Sequence, residues 1–370
     1  MGIRGFRFLR SRINELHRTV CFKGVLLAML GMGTGTACGQ REYGNADVEA
    51  FAELMTQPDV QLVDVRTAEE YAEGHIAEAL NIDVKANDFV VKATQLLDAT
   101  KPVAVYCRSG KRSAHAATLL AKEGFHVTNL LGGIMAWKEK QMPTTTVEVD
   151  TFTTPGGKTV KCHALMHASI RIVYDGKEIE IDPVGKLGNR TIDYATMPKA
   201  DYILVTHEHH DHFDKEAIAT LSADGSTSLV TNRRCADMLG HGQTLANGKK
   251  TTLDEGIEVE AVPAYNITEG HTQFHPKGRD NGYILTLDGL RIYIAGDTED
   301  IPEMENIKDI DIAFLPCNQP YTMTTDQLLR AARVIKPRIL FPYHYSQTDV
   351  SRIPNLLKDE GIDVRIRHYE

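Results

Sequence analysis

Between Asn45 and about Met142, short apolar runs alternate with amphipathic ones. The runs VQLVDV (60–65), PVAVYC (102–107) and HVTNLL (126–131) read as strands. Each is followed by a helical pattern: AEEYAE after the first, SAHAATLLAKEG (113–124) after the second with a glycine stop at Gly124, and GIMAWKEK after the third. Strands alternating with helices predict an α/β fold, a parallel sheet with helices on both faces. From Pro143 the rhythm breaks into threonine, proline and glycine (PTTTVEVDTFTTPGGK), which predicts a linker. Beyond it the texture becomes antiparallel. ASIRIVYDGKEIEIDP (168–183) and NGYILTLDGLRIYIAGD (281–297) each place two alternating strands around an Asp-Gly pair, Asp175-Gly176 and Asp288-Gly289. Helical stretches DKEAIATL (214–221) and TTDQLLRAARVIK (324–336) follow these hairpins, so an α+β half is expected, two sheets with helices packed outside.

A chain of 370 residues suits two domains of ordinary size. Its net charge of −9 is unevenly spread. The first 24 residues carry Arg4, Arg7, Arg10, Arg12, Arg18 and Lys23 against Glu15 alone, a local +5, which leaves −14 on the rest. An acidic body of that size repels phosphate backbones and argues against nucleic acid as a partner. The basic start runs into VLLAMLGMGTGTACGQ (25–40), whose short apolar core and small residues read as an export signal. The apolar run is too short to span a bilayer as a mature helix. Residues 1–39 are therefore expected to be a leader, 40–144 the first domain and 145–370 the second. Gly35-Thr36-Ala37-Cys38 resembles a bacterial lipoprotein cleavage site, which implies a lipid anchor at Cys38 and a periplasmic or membrane-anchored protein. A leader on a cytoplasmic enzyme is the alternative. The six cysteines, Cys21, Cys38, Cys107, Cys162, Cys235 and Cys317, include no CxxC pair, so neither a disulfide framework nor a zinc finger is indicated.

Cys107 ends a predicted strand and precedes a predicted helix in VYCRSGKRS (105–113). Backbone amides at the helix start, with Arg108, Lys111 and Arg112, favour a thiolate, the nucleophilic form of cysteine. The segments 62–83, 105–125 and 130–143 together resemble the single-domain rhodaneses. That resemblance implies that Cys107 accepts a sulfane sulfur from an anionic donor and carries it as a persulfide, inside a loop containing Arg108 and Arg112. Related cysteine phosphatases use a loop one residue longer, with arginine six positions after cysteine. Here that position is Ser113, and the shorter loop suits sulfur rather than phosphate. Asp64 and Arg66 fit either a salt bridge or a part in catalysis.

The densest chemistry lies in LVTHEHHDHF (204–213). His207 and His209, two apart in an extended turn, can face one point; Asp211 and His212 can serve a second point close by. Neutral imidazole with carboxylate suits zinc or iron. Asp297 and His344 each end an apolar strand, RIYIAGD and RILFPYH. Together these residues resemble the metallo-β-lactamase fold, an αββα sandwich, over about Val147 to Glu370, in its broad metal-dependent hydrolase branch of lactonase-like and phospholipase D-like members. The resemblance implies two metal ions, zinc above all. His207, His209 and one further histidine would hold the first; Asp211, His212 and His344 would hold the second, with Asp297 bridging. The family places the further histidine just after a strand like EVEAVPAY (258–265), where this chain has Asn266. His275, in the HPKG tract leading to the next hairpin, is the preferred substitute, with His271 the alternative. His167 resembles a histidine at the rim of the family's site. A pair of cations about 3.5–4 Å apart lowers the pKa of a shared water, so an ester, lactone, amide or phosphodiester is the expected small-molecule substrate, with Asp211 or Asp297 shuttling the proton. One alternative is an iron-dependent persulfide dioxygenase joined to a rhodanese; another is a first domain that only carries persulfide or docks partners.

Overall fold

In the computed structural model, residues 43–369 are described, apart from Pro58 and Asp224. The expected leader over residues 1–39, with its lipidation site at Cys38, lies outside the described residues. The chain divides into two compact units, the second being Val147–Glu370.

The first unit is a five-stranded sheet of β1 (Gly44–Ala46), β2 (Gln61–Asp64), β3 (Leu80–Asn81), β4 (Val103–Tyr106) and β5 (Val127–Leu130). All pairs are parallel, in the order β1-β5-β4-β2-β3. Helices α1 (Val48–Leu54), α2 (Ala68–Ala72), α3 (Phe89–Leu96), α4 (Lys111–Lys122) and α5 (Gly133–Glu139) connect them. Strand β4 shows why both faces must be covered. Val103 and Val105 join a core with Phe89, Ala116 and Leu120, whereas Ala104 and Tyr106 pack on the other side with Phe51, Ile134 and Trp137. This is the predicted α/β arrangement.

The second unit is a sandwich. Its first sheet is built from β6 (Glu148–Thr153), β7 (Thr159–Met166), β8 (Ser169–Tyr174), β9 (Lys177–Ile181), β12 (Tyr202–Val205), β13 (Ser228–Thr231) and β14 (Gln243–Thr244), in the order β14-β13-β12-β9-β8-β7-β6; a small β10–β11 hairpin (Lys186–Leu187, Arg190–Thr191) lies apart. Its second sheet runs in sequence order through β15 (Lys250–Asp254), β16 (Ile257–Ala264), β17 (Asp280–Leu287), β18 (Leu290–Ile294), β19 (Ile312–Pro316), β20 (Ile339–Tyr343) and β21 (Asp363–Val364). Alternation along the strands sorts side chains into layers. Leu204, Val230, Tyr283, Leu285 and Phe314 meet between the sheets. Ile203 and Val205 turn outward against α6 (Lys215–Leu221) and its neighbours. Ile284 and Leu315 turn outward on the other side against α8 (Thr325–Ile335), which follows α7 (Arg233–Leu239). The result is the expected αββα order. Both Asp-Gly hairpins have positive φ at each central residue (49° and 78° at Asp175-Gly176, 47° and 86° at Asp288-Gly289), the geometry such turns require.

One expectation needs correction. Residues 148–153, read as linker from their threonine content, form the edge strand β6, paired antiparallel with β7. Glu148, Asp150 and Phe152 alternate there with the less buried Val149, Thr151 and Thr153; the Pro155-Gly156-Gly157 cluster is only the turn between the two strands.

Candidate functional site

The chemistry-bearing residues of the second unit gather where strands end. Strand β12 stops at Val205, and the next residue is pinned: Thr206 donates to the Asp182 carboxylate through its N–H (2.7 Å) and its hydroxyl (2.6 Å). Asp182 follows β9 with φ 44°, and its own N–H donates to Leu204. The turn then closes on itself, since the His209 carbonyl accepts from the N–H groups of His212 and Phe213 at 2.9 and 2.8 Å. Asp214 caps α6 by accepting from Glu216 and Ala217, and Phe213 is buried under it. A rigid strand behind and a capped helix ahead fix the four ligand-type side chains between them.

The second sheet supplies the rest. Asp297 lies past β18, immediately after Gly296 at φ 64°, where an added Cβ would sit 2.7 Å from the Asn281 carbonyl oxygen; only glycine allows that close approach. His344 ends β20 with φ 46°, and its N–H donates to the His167 carbonyl. His275 is held by Asp280, Nδ1 to Oδ2 at 3.1 Å.

Three groups of donor atoms result, each within 4.8 Å: His207, His209, His275 and Asp297; His212, Asp297 and His344; His167, Asp211 and His344. Asp297 stands at the centre, with Oδ2 3.3 Å from His275 Nε2 and 3.9 Å from His207 Nε2, and Oδ1 3.1 Å from His212 Nε2 and 3.4 Å from His344 Nε2. His207, His212, His275, His344 and Asp297 are all buried, yet Nε2 of each of these four histidines and Oδ1 of Asp297 have no hydrogen-bond partner. Buried polar atoms normally find partners. Five orphans converging on one point are what a cation would satisfy, and imidazole with carboxylate is the donor chemistry of divalent metals.

The electrostatics agree. Burial holds His207 well below the ordinary histidine range. Burial also opposes charge on His212 and His275, but Asp297 and Asp182 raise the first, and Asp280 with Asp297 push the second up to about 9. Burial would raise Asp297 and Asp211, yet His344 and His212 hold Asp297 low, and His167 and His344 do the same to Asp211. One buried and one half-buried carboxylate, both held low by neighbouring imidazoles, mark a site whose natural neutralising charge is positive.

Of the two other residues considered for the first group, neither is in it. His271 pairs with the buried Glu299 at 3.2 Å, and Asn266 donates its amide to the carbonyls of His271 and Tyr321. Asp182, Thr206, Asp280 and Glu299 were not singled out from the sequence. Asp182 carried little signal, since it only continues the Glu-Ile alternation of EIEI. Glu299 carried none; it accepts from the N–H groups of Ile267 and Thr268 and so shapes the loop bearing His275.

In the first unit, Cys107 is buried at the end of β4. Its Sγ accepts from the Gly110 N–H at 3.2 Å and lies 3.4 Å from Ser113 Oγ. The carbonyls of Cys107 and Arg108 are taken by the N–H groups of Ile134 and Met135 (2.8 and 3.1 Å). That contact explains the Gly132-Gly133 pair: a Cβ on Gly133 would stand 2.3 Å from the Cys107 carbonyl oxygen. Arg108 is exposed. Arg112 is engaged by Glu70 in two bonds of 2.6 and 2.7 Å, which hold the Glu70 carboxyl down at about 2. Arg66 grips Asp64 and the Gly74 carbonyl inside the fold, a salt bridge. Cys162, Cys235 and Cys317 are free and buried; burial pushes the Cys235 thiol up to about 12.

Fold and site together define a metal-dependent hydrolase of the β-lactamase superfamily joined to a rhodanese-like domain. Two families match the chain accordingly: the Rhodanese-like domain over residues 47–140 and the Beta-lactamase superfamily domain over residues 161–344. A UPF0173 metal-dependent hydrolase of Ligilactobacillus salivarius is 35% identical over 189 residues, 49% of this chain and 82% of that protein. A second, from Thermococcus onnurineus, is 32% identical over 50% of this chain and 85% of its own length. A solved structure from Parabacteroides distasonis, described as a metal-dependent hydrolase, is 50% identical with a TM-score of 0.58, covering 60% of this chain and all of that one. The chain belongs to this family of metal-dependent hydrolases, and it carries a rhodanese-like sulfurtransferase domain ahead of the hydrolase.

Proposed function

We propose that the second unit binds two zinc ions at the sandwich edge and hydrolyses an ester, lactone, amide or phosphodiester. The observation that carries this reading is the set of orphaned buried donors around Asp297. Their spacing supports it. Donors about 2.0–2.1 Å from one tetrahedral ion lie about 3.3 Å from each other, and the pairs His275–Asp297, His212–Asp297 and His344–Asp297 are 3.3, 3.1 and 3.4 Å apart. His207, His209 and His275 would hold the first ion, and Asp211, His212 and His344 the second, with one oxygen of Asp297 toward each. Bound there, divalent cations polarise the scissile group and the attacking water. Asp211, whose side chain is 21% exposed where the Asp297 side chain is 3%, is the carboxylate open enough to take the water's proton and return it to the leaving group. Metal analysis of the protein purified without added metal, followed by turnover on the four substrate classes, tests the reading. Two zinc per chain with chelator-reversible hydrolysis is expected. One iron per chain, with oxygen uptake on glutathione persulfide, would instead establish the dioxygenase.

For the first unit the reading is sulfur transfer through Cys107. Its thiolate attacks the outer sulfur of thiosulfate, the S–S bond of the donor breaks, sulfite leaves with the electron pair, and a persulfide remains on Cys107. The Gly110 N–H and the Ser113 hydroxyl are placed to stabilise the anionic sulfur. A thiosulfate:cyanide sulfurtransferase rate that vanishes in Cys107→Ser supports catalysis; no rate in the wild type leaves the docking or carrier role.

A further inference from the structure

His167 is not among the ligands that the family resemblance implies, yet the structure gives it the position of one. It occupies the turn between β7 and β8 at φ 54°, a left-handed conformation that non-glycine residues rarely hold and that asparagine would hold more easily. Backbone strain of this kind persists at functional sites. Two bonds fix the residue there, its N–H to the Tyr369 carbonyl at 2.7 Å and its carbonyl from the His344 N–H at 3.2 Å. The side chain is buried and its ring centroid is 3.7 Å from that of His344. His167 Nε2 is 3.3 Å from Asp211 Oδ2, and His344 Nε2 is 3.5 Å from the same oxygen. Those separations match donors around a shared ion, about 3.3 Å.

We infer that His167 is a direct ligand of the second metal ion, joining Asp211 and His344 there, so that the affinity of that ion depends on the β7–β8 turn. The inference rests on the reading of this edge as a two-metal site. The test uses the full chain with zinc and with cobalt(II), measured by elemental analysis and by competition with a chromophoric chelator. Wild type should hold two ions; if it holds none, the two-metal reading itself fails and this inference fails with it. His167→Asn keeps the backbone conformation, which a melting temperature of the metal-free form should confirm by staying near wild type. It should lose at least about tenfold in affinity for one ion only, since even residues that merely orient ligands cost 10–100-fold. Two ions bound with wild-type affinities would overturn the assignment. His167→Cys separates a ligand from a prop for Asp211: a thiolate-to-cobalt charge-transfer band supports direct coordination, and a folded, cobalt-loaded variant without that band overturns it.

Discussion

Asp182 offers the sharpest check on how the metal site is held. Asp182→Asn preserves the side-chain shape and suits the backbone at φ 44°, so it perturbs only charge and hydrogen-bond sense. The native carboxylate is fully buried and takes three donors: the Thr206 N–H, the Thr206 hydroxyl and His212 Nδ1 at 2.8 Å. The last contact keeps a proton on Nδ1, so Nε2, which faces Asp297, is the nitrogen left to bind metal. An asparagine that keeps its oxygen on the Thr206 N–H turns its NH2 toward Nδ1. His212 must then accept there, and its proton moves to Nε2, the atom needed for coordination. The flipped amide sets NH2 against the Thr206 N–H instead. In the first case a proton blocks the coordinating nitrogen; in the second a buried donor faces a donor, a penalty of about 1–3 kcal/mol. Loss of a ligand-orienting partner costs about 10–100-fold in metal affinity, or about 1.4–2.8 kcal/mol, so two independent routes give one range. Zinc competition against a chromophoric chelator at fixed pH measures it. An affinity within about twofold of wild type, well under 1.4 kcal/mol, would refute the argument, because the His212 tautomer would then be set by something other than Asp182.

His275, raised to about 9 against an ordinary 6.5, makes two linked pH predictions. Its pairing with Asp280 and Asp297 stabilises the metal-free domain fully below pH 6.5 and is lost as pH rises through 9, so the melting temperature of chelated protein should fall across that window. Zinc affinity should rise over the same interval as the proton leaves the binding nitrogen, and potentiometric titration should detect proton release on binding. Gly133→Ala, with its Cβ 2.3 Å from the Cys107 carbonyl oxygen and φ 59°, should destabilise the first unit by at least about 2 kcal/mol, read by thermal unfolding. Cys107→Ser should abolish sulfur transfer while leaving zinc content unchanged, measured on one preparation by assay and by elemental analysis.

Much of this was legible because it is local. Alternation in YILV and YILTL separates the sandwich interior from its outer faces, and Asp-Gly pairs announce their hairpins. Asp297 and His344 stood out as lone polar residues after apolar runs. What escaped acts at a distance. Asp182 is 30 residues from His212, the imidazole it orients, and Glu70 is 42 residues from Arg112. No pattern in either segment announces its partner. His275 and His271 sit in a loop without helix or strand, shaped by Glu299 from beyond the next hairpin, so spacing alone could not separate them. Threonine content misled at β6, because an edge strand needs only one well-packed face.

The histidine and aspartate donors are drawn from both sheets, His167, His207, His209, Asp211 and His212 from one, His275, Asp297 and His344 from the other. A bound cation is thereby a removable rivet across the open end of the sandwich. With free metal at a thousand times its dissociation constant, mass action alone adds about 4.1 kcal/mol to the folded domain, comparable to a well-placed covalent staple. Metal supply thus governs how much damage the rest of the domain can absorb: substitutions silent in a metal-replete cell become unfolding lesions in a starved one.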